Sequence, residues 1–195
     1  MKISVIKYNA GNIRSVAFAL ERLNINFEIT DDHEKIKSAD KVIFPGVGEA
    51  SSTMKYLKDN KLDQLIVGLR QPVLGICLGM QLMCRHSEEN NTTCLCIFDE
   101  QVKKFTADKD HKVPHMGWNS LQAVNDWLPS SLENQFVYFV HSFYVPVGSF
   151  TSASTDYITK FSSAMRKDNF YAAQFHPEKS ADVGKIVLES FLKKS

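Results

Sequence analysis

No stretch of this sequence is apolar for long enough to span a bilayer, and neither sign of charge is in excess. Lys plus Arg number 23 against 22 for Asp plus Glu. That balance excludes a basic face for nucleic acid and an acidic tail, so recognition has to come from a local site. The apolar start of MKISVIKYNAGN is broken by Lys7, Asn9 and Gly11, too early for a signal peptide. Internal repeats, low-complexity tracts and linkers are also missing, which makes residues 1–195 one expected domain. A chain of that length buries roughly 70% of its unfolded surface and needs neither disulfide nor metal to hold a core. Cysteine is scarce, with four residues at 77, 84, 94 and 96. Cys94 and Cys96 are too close to pair without strain, so a secreted disulfide framework is excluded and a reducing cytoplasm is expected. Read as zinc ligands, Cys84, His86, Cys94 and Cys96 have a one-residue spacing that suits tetrahedral thiolates poorly. No metal is expected, and Cys94 and Cys96 read as small residues on one face of a strand.

What is present centres on Pro72 to Met83, PVLGICLGMQLM. Val73, Leu74 and Ile76 read as a short buried strand, and Gln81, Leu82 and Met83 open a helix-compatible stretch, so Cys77 falls at the strand-to-helix turn. Gly-x-Cys-x-Gly is the thiol counterpart of the Gly-x-Ser-x-Gly nucleophile elbow, a sharp turn that needs residues without a Cβ around the reactive side chain. A helix starting just after the thiol also favours thiolate over thiol.

Around it, Ile3 to Tyr8, Asn26 to Thr30 and Lys41 to Phe44 read as strands. A tight loop, Asn9 to Asn12, leads into a helix marked by Ile13, Val16, Ala17, Leu20 and Leu23. Met54, Leu57, Leu65, Ile66 and Leu69 mark a further helix, interrupted near Asn60. This alternation predicts an α/β fold, a three-layer sandwich around a mixed, mainly parallel sheet, with the site at the carboxyl ends of the strands. From Thr93 the pattern changes to short strands over Cys94 to Phe98, Gln101 to Phe105, Phe136 to Val140, Ser152 to Tyr157, Ser163 to Arg166 and Phe170 to Phe175, some pairing antiparallel. Thr106 to Lys112 reads as a solvated hairpin turn. Val183, Ile186, Val187 and Phe191 predict a closing amphipathic helix.

A thiol in an elbow needs a base and something to orient it. Gln174-Phe175-His176-Pro177-Glu178 offers both: in an extended segment residues i and i+2 share a side, so Glu178 sits beside His176 and steadies its ring. For the oxyanion of acyl transfer, the loop Gly46-Val47-Gly48 at the end of the third strand offers backbone N–H groups of Val47 and Gly48, and the N–H of Leu78 is the natural second donor. As a phosphate loop the same glycines fail, having neither the Gly-Lys-Ser/Thr ending nor the Rossmann spacing.

PGVG at 45–48, GICLGMQ at 75–81 and QFHPE at 174–178, in that order, resemble the class I glutamine amidotransferases, over essentially the whole chain. The resemblance implies that Cys77, His176 and Glu178 form a triad that hydrolyses glutamine and passes ammonia to a partner, with no cofactor. VPHMGWN at 113–119, YFVHS at 138–142 and the Lys-Ser after HPE are similar to the branch of glutaminase subunits that serve imidazole glycerol phosphate synthase. The resemblance implies that Gln81 and Glu89 hold the glutamine with the help of His141, Ser142 and Phe143. It also implies that Asn12, Pro114, Met116, Trp118, Asn119 and Lys179 face a cyclase subunit of HisF type, in a heterodimer of histidine biosynthesis. An acidic side chain such as Glu89 suits the ammonium of an amino acid, and backbone amides suit its carboxylate. Trp118 reads equally as a core aromatic. Where the family usually reads Gly-Leu-Gly-Leu this chain has Cys94-Leu95-Cys96-Ile97, with Asn90 to Thr93 in place of a glycine-rich approach. The rival readings are a glutaminase for the pyridoxal phosphate pathway, which PHMGWN speaks against, a cysteine peptidase or DJ-1-like hydrolase, separable by glutamine against peptide turnover, and a regulatory module with a fossil site.

Overall fold

The computed structural model describes residues 1–8 and 11–193; Asn9 and Ala10 of the expected tight loop lie outside the described residues. Among the described residues seven strands form the main sheet, in the order Thr151–Asp156, Lys160–Lys167, Phe170–Ala173, Val73–Ile76, Lys41–Phe44, Ile3–Ile6, Phe27–Thr30. The five from Phe170–Ala173 to Phe27–Thr30 run parallel, and the remaining two add on antiparallel. This is the mixed, mainly parallel sheet that the alternating pattern predicts.

Both faces of the sheet are covered, and side-chain parity shows by what. Val42 and Phe44 point into one apolar cluster with Met54, Leu57, Leu62 and Ile66 of the helices Ala50–Asp59 and Leu62–Gly68. Ile43 and Leu74 point into the other, with Val16 and Leu20 of Ile13–Arg22 and Val187 and Phe191 of Ala181–Leu192. A strand alternates its side chains, so a run apolar at every position has to sit between two helical layers. The predicted break near Asn60 is present: Lys61 takes a left-handed φ of 54° between the two helices. A short helix, His33–Lys37, escaped the periodicity reading because it has a single buried apolar residue, Ile36.

Two smaller sheets carry the second half of the site. His115–Ser120 pairs antiparallel with Phe136–His141, and Phe143–Tyr144, Gln101–Lys104, His86–Ser87 and Thr92–Thr93 form a four-stranded patch. Two expectations fail here. Gln101–Lys104 and His115–Ser120 belong to different sheets, so 106–112 is a connection between them and no hairpin turn. Residues 94–98 are not a strand, and Cys94 and Cys96 do not share a face: Cys94 is buried and Cys96 exposed. The segment wraps the end of the helix Leu78–Met83, where the N–H groups of Leu95, Cys96, Ile97 and Phe98 donate to the carbonyls of Leu82, Cys84 and Met83. The last carbonyls of a helix have no partner within it, and that demand outweighs the β propensity of the segment.

Candidate active site

Cys77 ends the strand Val73–Ile76 and precedes the helix Leu78–Met83, with φ 52° and ψ −107°. That strained conformation is held from both sides: its N–H donates to Ala173 O at 2.7 Å, and its carbonyl accepts from Gln81 N at 3.2 Å. The glycines serve a close approach of backbones. A Cβ on Gly79 would lie 2.2 Å from the Phe44 carbonyl oxygen, and one on Gly46 2.3 Å from the nitrogen of Gly79. The elbow helix therefore packs directly on the end of the neighbouring strand and the loop that follows it.

Across the elbow His176 is fully buried, and its Nδ1 lies 2.8 Å from Oε1 of Glu178. The pairing arises differently from the sequence expectation, because Pro177–Lys179 is a 3₁₀ turn rather than extended chain. Asn12 also donates to Glu178 Oε1, at 3.1 Å. His176 Nε2 is buried without a full hydrogen bond, close enough to Cys77 to feel its charge. Burial alone would lower the pKa of the imidazole, but the Cys77 sulfur and the Glu178 carboxylate outweigh it and raise the value to about 10. At neutral pH the ring is an imidazolium, a counter-ion for a thiolate and a proton donor for a leaving amine.

Cys77 opens onto a cavity of about 370 Å³. The expected substrate residues Gln81, Glu89, His141, Ser142 and Phe143 all line it, with the loop residues Val47 and Gly48, Leu78, and Pro114. One carboxylate oxygen of Glu89 is already engaged, accepting from the N–H of Ala50 at 2.8 Å. The expected oxyanion donors are not assembled. Leu78 N–H donates to the Gly46 carbonyl at 3.3 Å. In a trans peptide C=O and N–H point in opposite directions, so the Val47 N–H is turned away from the elbow.

Two buried chains of hydrogen bonds run beneath the cavity, and the sequence reading passes over a member of each. The carbonyl of Phe143 only accepts, so His141 Nδ1, at 2.7 Å, carries a proton. His141 Nε2 then accepts from His115 Nδ1 at 3.0 Å, and Asn119 Nδ2 lies 3.4 Å from His115 Nε2. Burial is the main cause that lowers the pKa of His141 to about 3 and that of His115 to about 4, so both rings are neutral. In the second chain Gln81 Nε2 donates to the same Phe143 carbonyl and to Gln174 Oε1, both at 2.9 Å, and Gln174 Nε2 lies 3.6 Å from the sulfur of Cys77. Gln174 was within reach of the parity argument, standing two residues before His176 as Glu178 stands two after.

The expected partner-facing residues divide. Met116 and Trp118 are 66% and 53% exposed, which rules out the core-aromatic reading of Trp118. Pro114 and Lys179 are exposed as well, and Lys179 sits over the Tyr138 ring beside Trp118. Asn119 is half-buried and turned inward to the Asp156 carbonyl and His115. Asn12, expected on that surface, is buried at 3% exposure because its amide is spent on Glu178.

A parallel-sheet core, a thiol on a strained elbow and a buried imidazole–carboxylate pair define a family, and a model of it, glutamine amidotransferase class-I, matches residues 3–194. The chain belongs to the class-I glutamine amidotransferases and is an enzyme of that family. Within the family, the imidazole glycerol phosphate synthase subunit HisH of Bacteroides thetaiotaomicron is 63% identical over 194 residues, 98% of this chain and 99% of that protein. HisH of Bacteroides fragilis is 60% identical with the same coverage. A solved glutamine amidotransferase structure superposes with a TM-score of 0.75 at 17% identity, covering 98% of this chain and 97% of the other, a likeness of fold.

Proposed function

We propose that this chain is the glutaminase subunit of an imidazole glycerol phosphate synthase of histidine biosynthesis, working in the cytoplasm as a heterodimer with a HisF-type cyclase. The relatives at 60% and 63% identity carry the subunit name, and Met116 and Trp118 offer an apolar surface for a partner. The thiolate of Cys77 attacks the side-chain carbonyl carbon of glutamine. The tetrahedral oxyanion collapses with loss of ammonia, protonated by the His176 imidazolium, and leaves a γ-glutamyl thioester. Water, activated by the now neutral His176, attacks the thioester carbonyl, and a second oxyanion releases glutamate and the thiolate. Glu178 keeps the ring oriented, and no cofactor is called for.

One observation carries the regulatory part of this reading: the Leu78 N–H is occupied by the Gly46 carbonyl. Rotation of the Gly46–Val47 peptide would free Leu78 and turn the Val47 N–H inward, supplying both donors together. A missing oxyanion donor costs on the order of 100- to 1000-fold in rate. Ammonia release from glutamine by the isolated chain is therefore expected to be low and to rise by that order when the cyclase docks with its nucleotide ligand bound. Full activity of the purified chain without a partner would defeat this reading of the loop. Activity on peptides instead of glutamine would defeat the assignment as a whole.

A further inference from the structure

We infer that Gln174 is a further catalytic residue of this reaction: its side-chain N–H donates to the sulfur of Cys77 and stabilises it as the attacking thiolate. The inference rests on the reading of Cys77 as the nucleophile. Gln174 is fully buried, and its Nε2 lies 3.6 Å from Sγ. Its amide is not free to turn over. Oε1 accepts from Gln81 Nε2 at 2.9 Å, and Gln81 Nε2 is itself identified as a donor by its second partner, the Phe143 carbonyl, at 2.9 Å. A flipped Gln174 would set its NH₂ against that of Gln81, a donor against a donor, losing the buried hydrogen bond between the two amides. The amide therefore presents only a donor to Cys77.

That matters because ionisation changes what the sulfur can do. As a thiol it donates, and the Val140 carbonyl at 3.8 Å is placed to accept. As a thiolate it only accepts, and Val140 has nothing to give. Gln174 then supplies a neutral donor from one side, while His176 supplies the charge from another. Hydrogen bonds to charged groups are the stronger kind, and a buried one is not diluted by water. The same chain ties the nucleophile to the cavity wall, since Phe143, whose carbonyl orients Gln81 and receives His141 Nδ1 at 2.7 Å, lines the cavity. His176 and Tyr8 are ionisable groups that interact with Cys77. Neither is altered by substitution at 174.

The test is the pH dependence of Cys77 alkylation by iodoacetamide, read by peptide mass spectrometry. The exposed Cys96 is scored separately as an internal control. In Gln174→Met, which keeps the volume and removes the donor, the midpoint for Cys77 is expected to rise by about one pH unit, with glutamine hydrolysis in the cyclase complex falling about tenfold in kcat. In Gln174→Glu, which sets an acceptor against the sulfur, both effects should be larger, with Cys96 unchanged. Wild-type midpoints for Cys77 in both folded variants would overturn the inference. Should neither variant fold, the decisive signal is the Nε2 proton resonance of Gln174 in wild-type protein labelled with ¹⁵N-glutamine. Movement with the Cys77 titration that is lost in Cys77→Ala supports the donor role, and no movement overturns it. A Cys77→Ala chain that still hydrolyses glutamine would instead overturn the function proposed above.

Discussion

His176 is kept cationic by its neighbours in spite of complete burial, and the consequence is testable at the level of single side chains. Cys77→Ser and His176→Ala are expected to be nearly inactive in single-turnover assays with the cyclase present. The hydroxyl ionises far less readily, and the alanine removes both counter-ion and proton donor. Glu178→Gln should retain part of the activity, and its alkaline limit should move to lower pH, because the carboxylate helps hold the His176 pKa near about 10. An alkaline limit unchanged in Glu178→Gln would contradict that origin. Stability follows the same values. The raised pKa of His176 gives a contribution that is complete below the unfolded-state value of about 6.5 and is lost as pH rises through about 10. His141 and His115 act oppositely, since their folded values of about 3 and about 4 lie below the unfolded value. Their contribution is complete above about 6.5 and drains away as pH falls through that window. Urea unfolding should therefore show stability falling from pH 6.5 to 4, and His115→Asn should flatten the slope while lowering stability at pH 7. Of this residue-level chemistry, Cys77, His176 and Glu178 were legible from motif and spacing. The pairing of His115 with His141 was not, because it joins positions 26 apart through a strand register that no local pattern encodes.

At the level of elements, the elbow is where backbone meets backbone. Gly79→Ala would drive a Cβ against the Phe44 carbonyl, whereas the nearest atom to a Cβ on Gly75 is the flexible sulfur of Met83 at 2.8 Å. Overpacking of this kind costs about 1–3 kcal/mol, and Gly79→Ala is expected at or above the top of that range in thermal unfolding, with Gly75→Ala milder. The segment that wraps the elbow helix behaves in the other direction. Cys96 has a φ of 56°, with Asn90 and Asn91 at 51° and 50°. Asn tolerates the left-handed region and cysteine does so poorly, so Cys96→Gly should stabilise the fold by about 0.5–1 kcal/mol net of the entropy glycine adds to the unfolded chain. A destabilised Cys96→Gly would mean that its side chain packs in a way its exposure belies. The departure from the usual glycines at 94–97 was visible in the sequence. That the segment caps a helix was hidden, because the demand comes from carbonyls more than ten residues earlier.

Across the whole molecule, the pair of strands His115–Ser120 and Phe136–His141 stands between the exposed apolar patch and the site. Met116 and Trp118 face outward from it, while His176 N donates to Tyr138 O at 2.9 Å and His141 lines the cavity. A partner seated on Trp118 would thus press on the strand that holds the His176 imidazole. Trp118→Ala is expected to leave the melting of the isolated chain within about 0.5 kcal/mol of wild type and to weaken assembly with the cyclase by more than about tenfold, as anchor aromatics do. Calorimetry of the chain alone and titration against the cyclase measure the two separately, and unchanged affinity would remove Trp118 from the interface.

The sequence by itself determined the sheet-and-helix alternation, the place of the thiol at a strand end and the identity of the imidazole and carboxylate, because each is written in periods and spacings of a few residues. Only the tertiary structure decided that Asn12 donates to Glu178, that Gln174, oriented by Gln81, reaches the sulfur, and that the Gly46 carbonyl occupies the Leu78 N–H. Each of these is a choice among hydrogen-bond partners far apart in the chain. Such choices are settled by which donors and acceptors the packed layers bury together, where a polar group left without a partner is costly.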